Sequence, residues 1–555
     1  MKRLHLIGLP CLHIGLLLGL LSLAGAAPVE ELQTPSGVKW IDPAGTSGSL
    51  VIHGGGELTD AVRDKFLSLA GDKQARIVVI PTASDRADSE DAEIRGKFLE
   101  PWKSLGAAEV QLLHTRSKAK ANEDAFVAPL KEATAVWLGG GDQTKIAEAY
   151  LGTAVERELL ALLARGGVIG GTSAGAAIQS QTMIAGGQTE PKMGVGFDFV
   201  PGAIIDQHFK ARNRQQRLRK ALADHPGLVG FGVDEQAALV VRGRRLQVFG
   251  NGTVSVLLAA SAARPAREFE LKPREIHDLT MLRRAAIDRS LAEFPAKELS
   301  PPKLDAGSLV IVGGGGMPKE VTQKFIELAG GPDELIVVLP TANEASASSG
   351  NEGRFFERAG AKNVKVLSQR TRAEVESAEF AEALAKAKGV WFGGGRQWRF
   401  VDAYGGTKAE LLFHDVLRRG GVIGGSSAGA TIQAQYMVRG SVLGNTDMMA
   451  EGYERGLAFL PGAAVDQHFT QRKRQPDMTG VMQRFPQILG IGLDEATAIV
   501  VRGQTAEVLG AGQAHFYDYR TAPQACEPDF TAVKAGQKYD LVERKALGEI
   551  TPAQP

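Results

Sequence analysis

The chain has 555 residues, and 64 lysines and arginines against 63 aspartates and glutamates leave a formal net charge of +1. A composition that is 44% hydrophobic and 23% charged excludes disordered and fibrous classes, and the balanced charge gives no overall attraction to nucleic acid or anionic membrane. Two cysteines, Cys11 and Cys526, exclude a disulfide framework and a four-cysteine zinc site, while 67 glycines stand well above the usual ~7% share and need a positional explanation.

In chain order, Lys2 and Arg3 precede an apolar run from Leu6 to Leu23 that ends in Ala24-Gly25-Ala26. This is the pattern of a secretory signal peptide over residues 1–26, and it predicts a secreted or periplasmic protein without membrane attachment after cleavage. The first strand is expected at Leu50–His53, followed by Gly54-Gly55-Gly56. A helical pattern of Val62, Phe66 and Leu69 then stops at Gly71. Further short apolar runs at Arg76–Ile80, Ala135–Leu138, Val168–Gly170 and Ala203–Ile205 alternate with amphipathic stretches. Short uninterrupted apolar runs suit strands buried on both faces, so the pattern predicts an α/β, doubly wound parallel sheet covered by helices. The glycines fall after the strands, at the edge where such sheets build ligand sites.

Gly171-x-Ser173-x-Gly175 follows a strand and precedes a helical run, which is the sequence of a nucleophile elbow. A serine nucleophile needs a base, and the base an orienting acid. Asp206-Gln207-His208-Phe209 supplies a histidine at a strand end, 35 residues after the serine, and Val233-Asp234-Glu235 offers carboxylates. Spacing alone leaves Glu235, Asp234 and Asp206 open as the acid. Lys210, Arg212, Arg214 and Arg217 form a basic run behind the histidine, and arginine forks suit carboxylate ligands. His53 before the glycines resembles an esterase oxyanion loop, but its counterpart further along is Val312, so a packing role is expected.

The chain then repeats itself after roughly 255–260 positions. Gly48-Ser-Leu-Val-Ile-His returns as Gly307-Ser-Leu-Val-Ile-Val, and Val136-Trp-Leu-Gly-Gly-Gly as Val390-Trp-Phe-Gly-Gly-Gly. Such a period marks tandem duplication of a whole domain. The expected division is a first domain over 47–285, a charged, proline-bearing linker over 286–305, and a second domain over 306–550. The second copy carries Ser427, Asp466-Gln467-His468 and Glu495; its serine-to-histidine interval is 41 residues, so a longer loop intervenes. Asp477 stands where the first copy has Arg217, and Arg396 where it has Asp142.

Taken together, GTSAGA around Ser173, DQHF at 206–209, VDE at 233–235 and GGGDQ at 139–143 resemble the cyanophycinase family, serine peptidases related to aspartyl dipeptidase E. The resemblance covers both copies and implies a fold similar to the class I glutamine amidotransferase domain, with serine in place of the elbow cysteine. It implies Ser173 and Ser427 as nucleophiles, His208 and His468 as bases, and Glu235 and Glu495 as orienting acids. Ala174 with Gly140, and Ala428 with Gly394, would form the oxyanion holes. Gln143, Asp206, Gln207, Arg212, Arg214 and Arg217 would bind substrate in the first copy, and Gln397, Asp466, Gln467, Arg472 and Arg474 in the second. The implied activity is release of β-Asp-Arg dipeptides from cyanophycin, a poly-aspartate carrying arginine on its side chains, through an acyl-enzyme and without metal or cofactor. An aspartyl dipeptidase, or a non-catalytic binding protein on the same fold, are the alternatives.

Overall fold

A computed structural model describes residues 32–345, 351–524 and 527–548. The leader expected over residues 1–26 and both cysteines lie outside the described residues. Among the described residues no helix is long and apolar enough to cross a membrane.

The first repeat contains fourteen strands: β1 Thr46–His53, β2 Arg76–Ile80, β3 Glu109–Leu112, β4 Ala135–Leu138, β5 Val168–Thr172, β6 Thr182–Gly186, β7 Lys192–Val195, β8 Ala203–Gln207, β9 Val229–Val233, β10 Ala237–Gly243, β11 Arg245–Gly250, β12 Val254–Leu258, β13 Arg267–Leu271 and β14 Ile276–Asp278. The main sheet runs β14-β11-β10-β1-β5-β4-β2-β3. Its β1, β5, β4, β2 and β3 are parallel; burial of β1, β5, β4 and β2 on both faces explains their apolar runs, while the edge strand β3 is half-buried. The helix Asp60–Ala70 covers one face with Val62, Phe66 and Leu67, and Gly71 ends it in the left-handed conformation that glycine adopts without strain.

The α/β architecture is as the sequence predicts, but the sheets are mixed. Antiparallel β10, β11 and β14 extend the main sheet beyond β1, and β8 belongs to a second sheet ordered β13-β12-β9-β8. Only β8 and β9 are parallel there. The His208 N–H donates to the Gly54 carbonyl at 2.8 Å, joining the end of the second sheet to that of β1.

The second repeat preserves this plan. Its main sheet centres on parallel Ser308–Val312, Val422–Ser426, Gly389–Phe392 and Ile336–Leu339, flanked by antiparallel Thr497–Arg502. Where the first repeat has the separate β6–β7 hairpin, the second has Ala434–Tyr436 joined in parallel to the strand Leu460–Gln467.

The repeats share a polar interface. Asp402 of the second accepts from Arg244 at 2.6 Å and Arg284 at 3.1 Å of the first, and from Tyr453 at 2.7 Å. Residues 286–290 complete the helix Leu279–Ser290, whose Arg289 pairs with Glu451. The segment before β1 crosses to the second repeat: Ser36 donates twice to Glu410, at 2.9 Å from both N–H and hydroxyl, and Val38 joins the second core.

Candidate active site

Each elbow is built by glycines that let backbone approach backbone. A Cβ on Gly171 would collide with the Gly175 carbonyl, and one on Gly175 with that of Leu138. The turn holds Ser173 at φ 54°, ψ −109°, and Ser427 at φ 57°, ψ −112°, a conformation unfavourable for an L-residue that lifts the hydroxyl off the strand end. The carbonyls of His53 and Val312 brace the two turns by accepting the serine N–H groups, both at 3.0 Å.

The Ser173 hydroxyl donates to His208 Nε2 at 2.9 Å, and His208 Nδ1 donates to Glu235 Oε1 at 2.6 Å. Ser427, His468 and Glu495 repeat the chain at 3.0 and 2.6 Å. Of the three carboxylates left open by spacing, Glu235 is the one on the imidazole. Asp234 instead accepts from the N–H groups of Lys210, Ala211 and Glu235, holding the segment after the histidine, and Asp206 turns to arginine. The first glycine triplet is the floor of the site: a Cβ on Gly55 would enter the His208 ring, and one on Gly56 would press on Glu235. Gly314 and Gly315 stand likewise under His468 and Glu495.

Burial lowers the pKa of both histidines from 6.5; the paired glutamate opposes the shift, and Arg212 with Arg214, or Arg472 with Arg474, reinforces it. Both imidazoles are therefore neutral at pH 7, the state in which Nε2 accepts a proton. His53, fully buried, bonds the Thr172 hydroxyl at 2.8 Å, and burial brings its pKa down to about 4.

The N–H groups of Ala174 and Gly140, and of Ala428 and Gly394, have no acceptor among the described residues. Gly140 lies beside the serine, a Cβ on it falling 3.5 Å from that of Ser173; for Gly394 and Ser427 the figure is 3.6 Å. Each serine thus has two unpaired N–H groups close by in the backbone, its own successor's and that of the neighbouring glycine.

The residues expected to bind substrate divide in two. Arg212 and Arg472 are exposed beside the histidines and make no side-chain bond among the described residues. Gln207 is buried with its side-chain oxygen unpartnered among the described residues, and the others are engaged internally. Gln143 donates to the carbonyls of Ile184 at 2.8 Å and Ala185 at 3.0 Å, as Gln397 does to those of Val438 and Arg439. Asp206 is fully buried in a two-pronged pair with Arg217, and Arg214 donates to the Gln207 carbonyl at 2.8 Å. Arg474 reaches Asp466 at 2.8 Å and the Gln467 side chain at 3.0 Å.

Sequence reasoning missed Arg439. It grips Asp466 in the second repeat and also pairs with Asp477, so the arginine lost from the helix is supplied by the preceding loop. The signal was available: an aspartate replacing Arg217 while Asp466 stays demands a new cation. Among the described residues no cluster of His, Cys, Asp or Glu could hold a metal ion.

The model of peptidase family S51 matches residues 46–249 and again 309–509. The cyanophycinase of Nostoc sp. is 35% identical over 244 residues, covering 41% of this chain and 79% of that protein. That of Geminocystis herdmanii is 32% identical over 223 residues, covering 38% and 80%. Among solved structures, a peptidase from an acI-B1 Actinobacterium aligns with 25% identity over 42% of this chain and 98% of its own, at a TM-score of 0.34. Two matched segments, each containing one complete Ser–His–Glu chain of hydrogen bonds, place the protein in peptidase family S51, as a tandem of two family units.

Proposed function

We propose that the protein is an exported serine exopeptidase with two sites, acting on cyanophycin or a related β-aspartyl peptide and releasing β-Asp-Arg dipeptides. The observation that carries this reading is the Ser–His–Glu order of hydrogen bonds, repeated with the same atoms in both units. The curated relatives, cyanophycinases covered over more than two thirds of their length, support the substrate class. Export rests on the leader-like first 26 residues.

In this mechanism His208 takes the Ser173 proton as the oxygen attacks the substrate carbonyl carbon, and Glu235 stabilises the resulting imidazolium. The N–H groups of Ala174 and Gly140 receive the oxyanion, a contribution of roughly 10²–10³ in rate per donor. The imidazolium then protonates the leaving amine, the C–N bond breaks, and the acyl-enzyme is hydrolysed by water activated by the same histidine. Ser427, His468, Glu495, Ala428 and Gly394 act alike. Arg212 and Arg472 are the free cations beside the bases and the candidates for a substrate carboxylate.

The test is hydrolysis of cyanophycin by the wild type, each single variant and the Ser173→Ala, Ser427→Ala double variant. Dipeptide release that disappears in the double variant is expected. No release by the wild type overturns the substrate; full activity in the double variant overturns the mechanism.

A further inference from the structure

The two sites are alike at the serine, the base and the acid, and on the histidine side each presents one exposed arginine, Arg212 or Arg472. They differ on the other rim. Two residues after each oxyanion-side glycine, Gly140 or Gly394, stand Asp142 and Arg396. The backbone is the same at both: each N–H donates at 2.9 Å to the carbonyl of the corresponding alanine, Ala83 or Ala342. At this position the side chain, and with it the sign of the charge, has changed.

Asp142 is exposed and caps the helix Gln143–Tyr150, accepting from the N–H of Thr144 at 2.9 Å and its hydroxyl at 2.7 Å. It makes no ion pair among the described residues, because nearby Lys145 pairs with Asp85 and Arg116 with Asp88. Arg86 stands exposed on the same loop. Arg396 is half-buried and bonds only neutral oxygens: the Asn445 side chain at 2.5 Å and the carbonyls of Ser441 and Gly444, both at 2.8 Å. It has no carboxylate partner among the described residues. Arg399, where the first repeat has Lys145, adds a cation within electrostatic reach and takes Glu344 for itself, and Arg370 bonds the Thr341 and Asn343 carbonyls with Glu374 near it. Through Arg396 the extra residues of the second unit form a strap at this rim, tied from the other side by Arg439 to the Asn445 carbonyl at 2.8 Å.

We infer that the position held by Asp142 and Arg396 determines the charge of the substrate each site takes: the first favours a peptide with cationic side chains, the second one with free carboxylates. The inference rests on the peptidase reading above and adds a division of labour between the units. The first would work on the arginine-bearing chain, and the second on aspartyl peptides stripped of arginine. A charge without an ionic partner, two residues from an oxyanion-side glycine, acts on a charged substituent of the bound peptide, and at a partly exposed rim it discriminates by about five-fold.

The test uses the full chain with one site silenced, and two short peptides of the same aspartate backbone, with and without arginine on the side chains. The ratio of kcat/KM for the two peptides is read, which partial misfolding does not alter. The Ser427→Ala variant should favour the arginine-bearing peptide, and the Ser173→Ala variant should invert the ratio. Asp142→Asn, which keeps the helix cap and removes the charge, should cut the first preference about five-fold. Arg396→Gln should do the same at the second site, while Arg396→Lys should retain the second site's preference although the fork is lost. Equal ratios at the two sites, or ratios that survive both charge-removing changes, overturn the inference while leaving the peptidase reading in place. If neither single-site variant cleaves either peptide, both fall.

Discussion

At His208 one ring is held from three sides: Glu235 on Nδ1, Ser173 on Nε2, and bare backbone at Gly55 beneath its face. Only the first two partners are visible as motifs; the third explains why a glycine triplet follows each first strand. The ring's environment also sets a pH dependence. Burial and the arginines depress the His208 pKa below 6.5, and a base must be neutral to accept the serine proton. Activity is therefore complete above that pKa and lost as pH falls through it, so the acid limb of kcat/KM lies below pH 6.5. In a Ser427→Ala background, Arg212→Gln should move the limb upward, toward the ordinary histidine value, because a nearby cation no longer opposes the imidazolium. A limb unchanged by the substitution, followed across a pH series, would show that Arg212 does not act on the base electrostatically.

At the scale of elements, the buried Asp206 at the end of β8 is matched to a helix in one repeat and to a loop in the other. Its partner Arg217 comes from the helix Gln215–Asp224, whereas Asp466 takes Arg439 from the loop after Ala434–Tyr436. Both members of the first pair are almost wholly buried, so removing one strands a charge. Arg217→Ala should destabilise the first repeat by about 3–5 kcal/mol, and replacing both members together (Arg217→Met with Asp206→Leu) should restore most of that. Thermal melts of the two variants decide it: equal losses would mean that the pair itself carries the stability. These contacts also mark where the sequence stops being legible. The central strands, the helix end at Gly71 and the Ser and His of each site could be read because periodicity and short motifs are local, whereas spacing could not choose the acid among Asp206, Asp234 and Glu235. The assignment of β8 to a second sheet could not be read either, since a buried three-residue apolar run looks the same in either. Arg217 read as a substrate ligand because its burial depends on where β8 goes.

For the whole molecule, Asp402 of the second unit draws together two arginines of the first. Loss of its carboxylate leaves Arg244 with Asp278 alone and removes the anion that Arg284 of the same unit takes from across the interface. Asp402→Ala is expected to cost about 3–5 kcal/mol and to split a single calorimetric unfolding transition into two. An unchanged single transition would show that the coupling resides elsewhere in the interface. The duplication is legible from sequence, but this coupling is not, because Asp288 and Arg289 fall in the stretch expected as a linker and their partners Arg455 and Glu451 lie far along the chain.

The segment before β1 carries a consequence in time. Ser36 and its acceptor Glu410 are 374 residues apart, so the strap leaves the ribosome long before its socket exists. At roughly 5–20 residues per second, that interval is on the order of 20–75 s. Throughout it the first unit has its own core to complete, while Val38 remains without the neighbours it will have in the second. This contact between the units is therefore completed by nearly the first residues of the described chain, and it closes only after synthesis has passed Glu410.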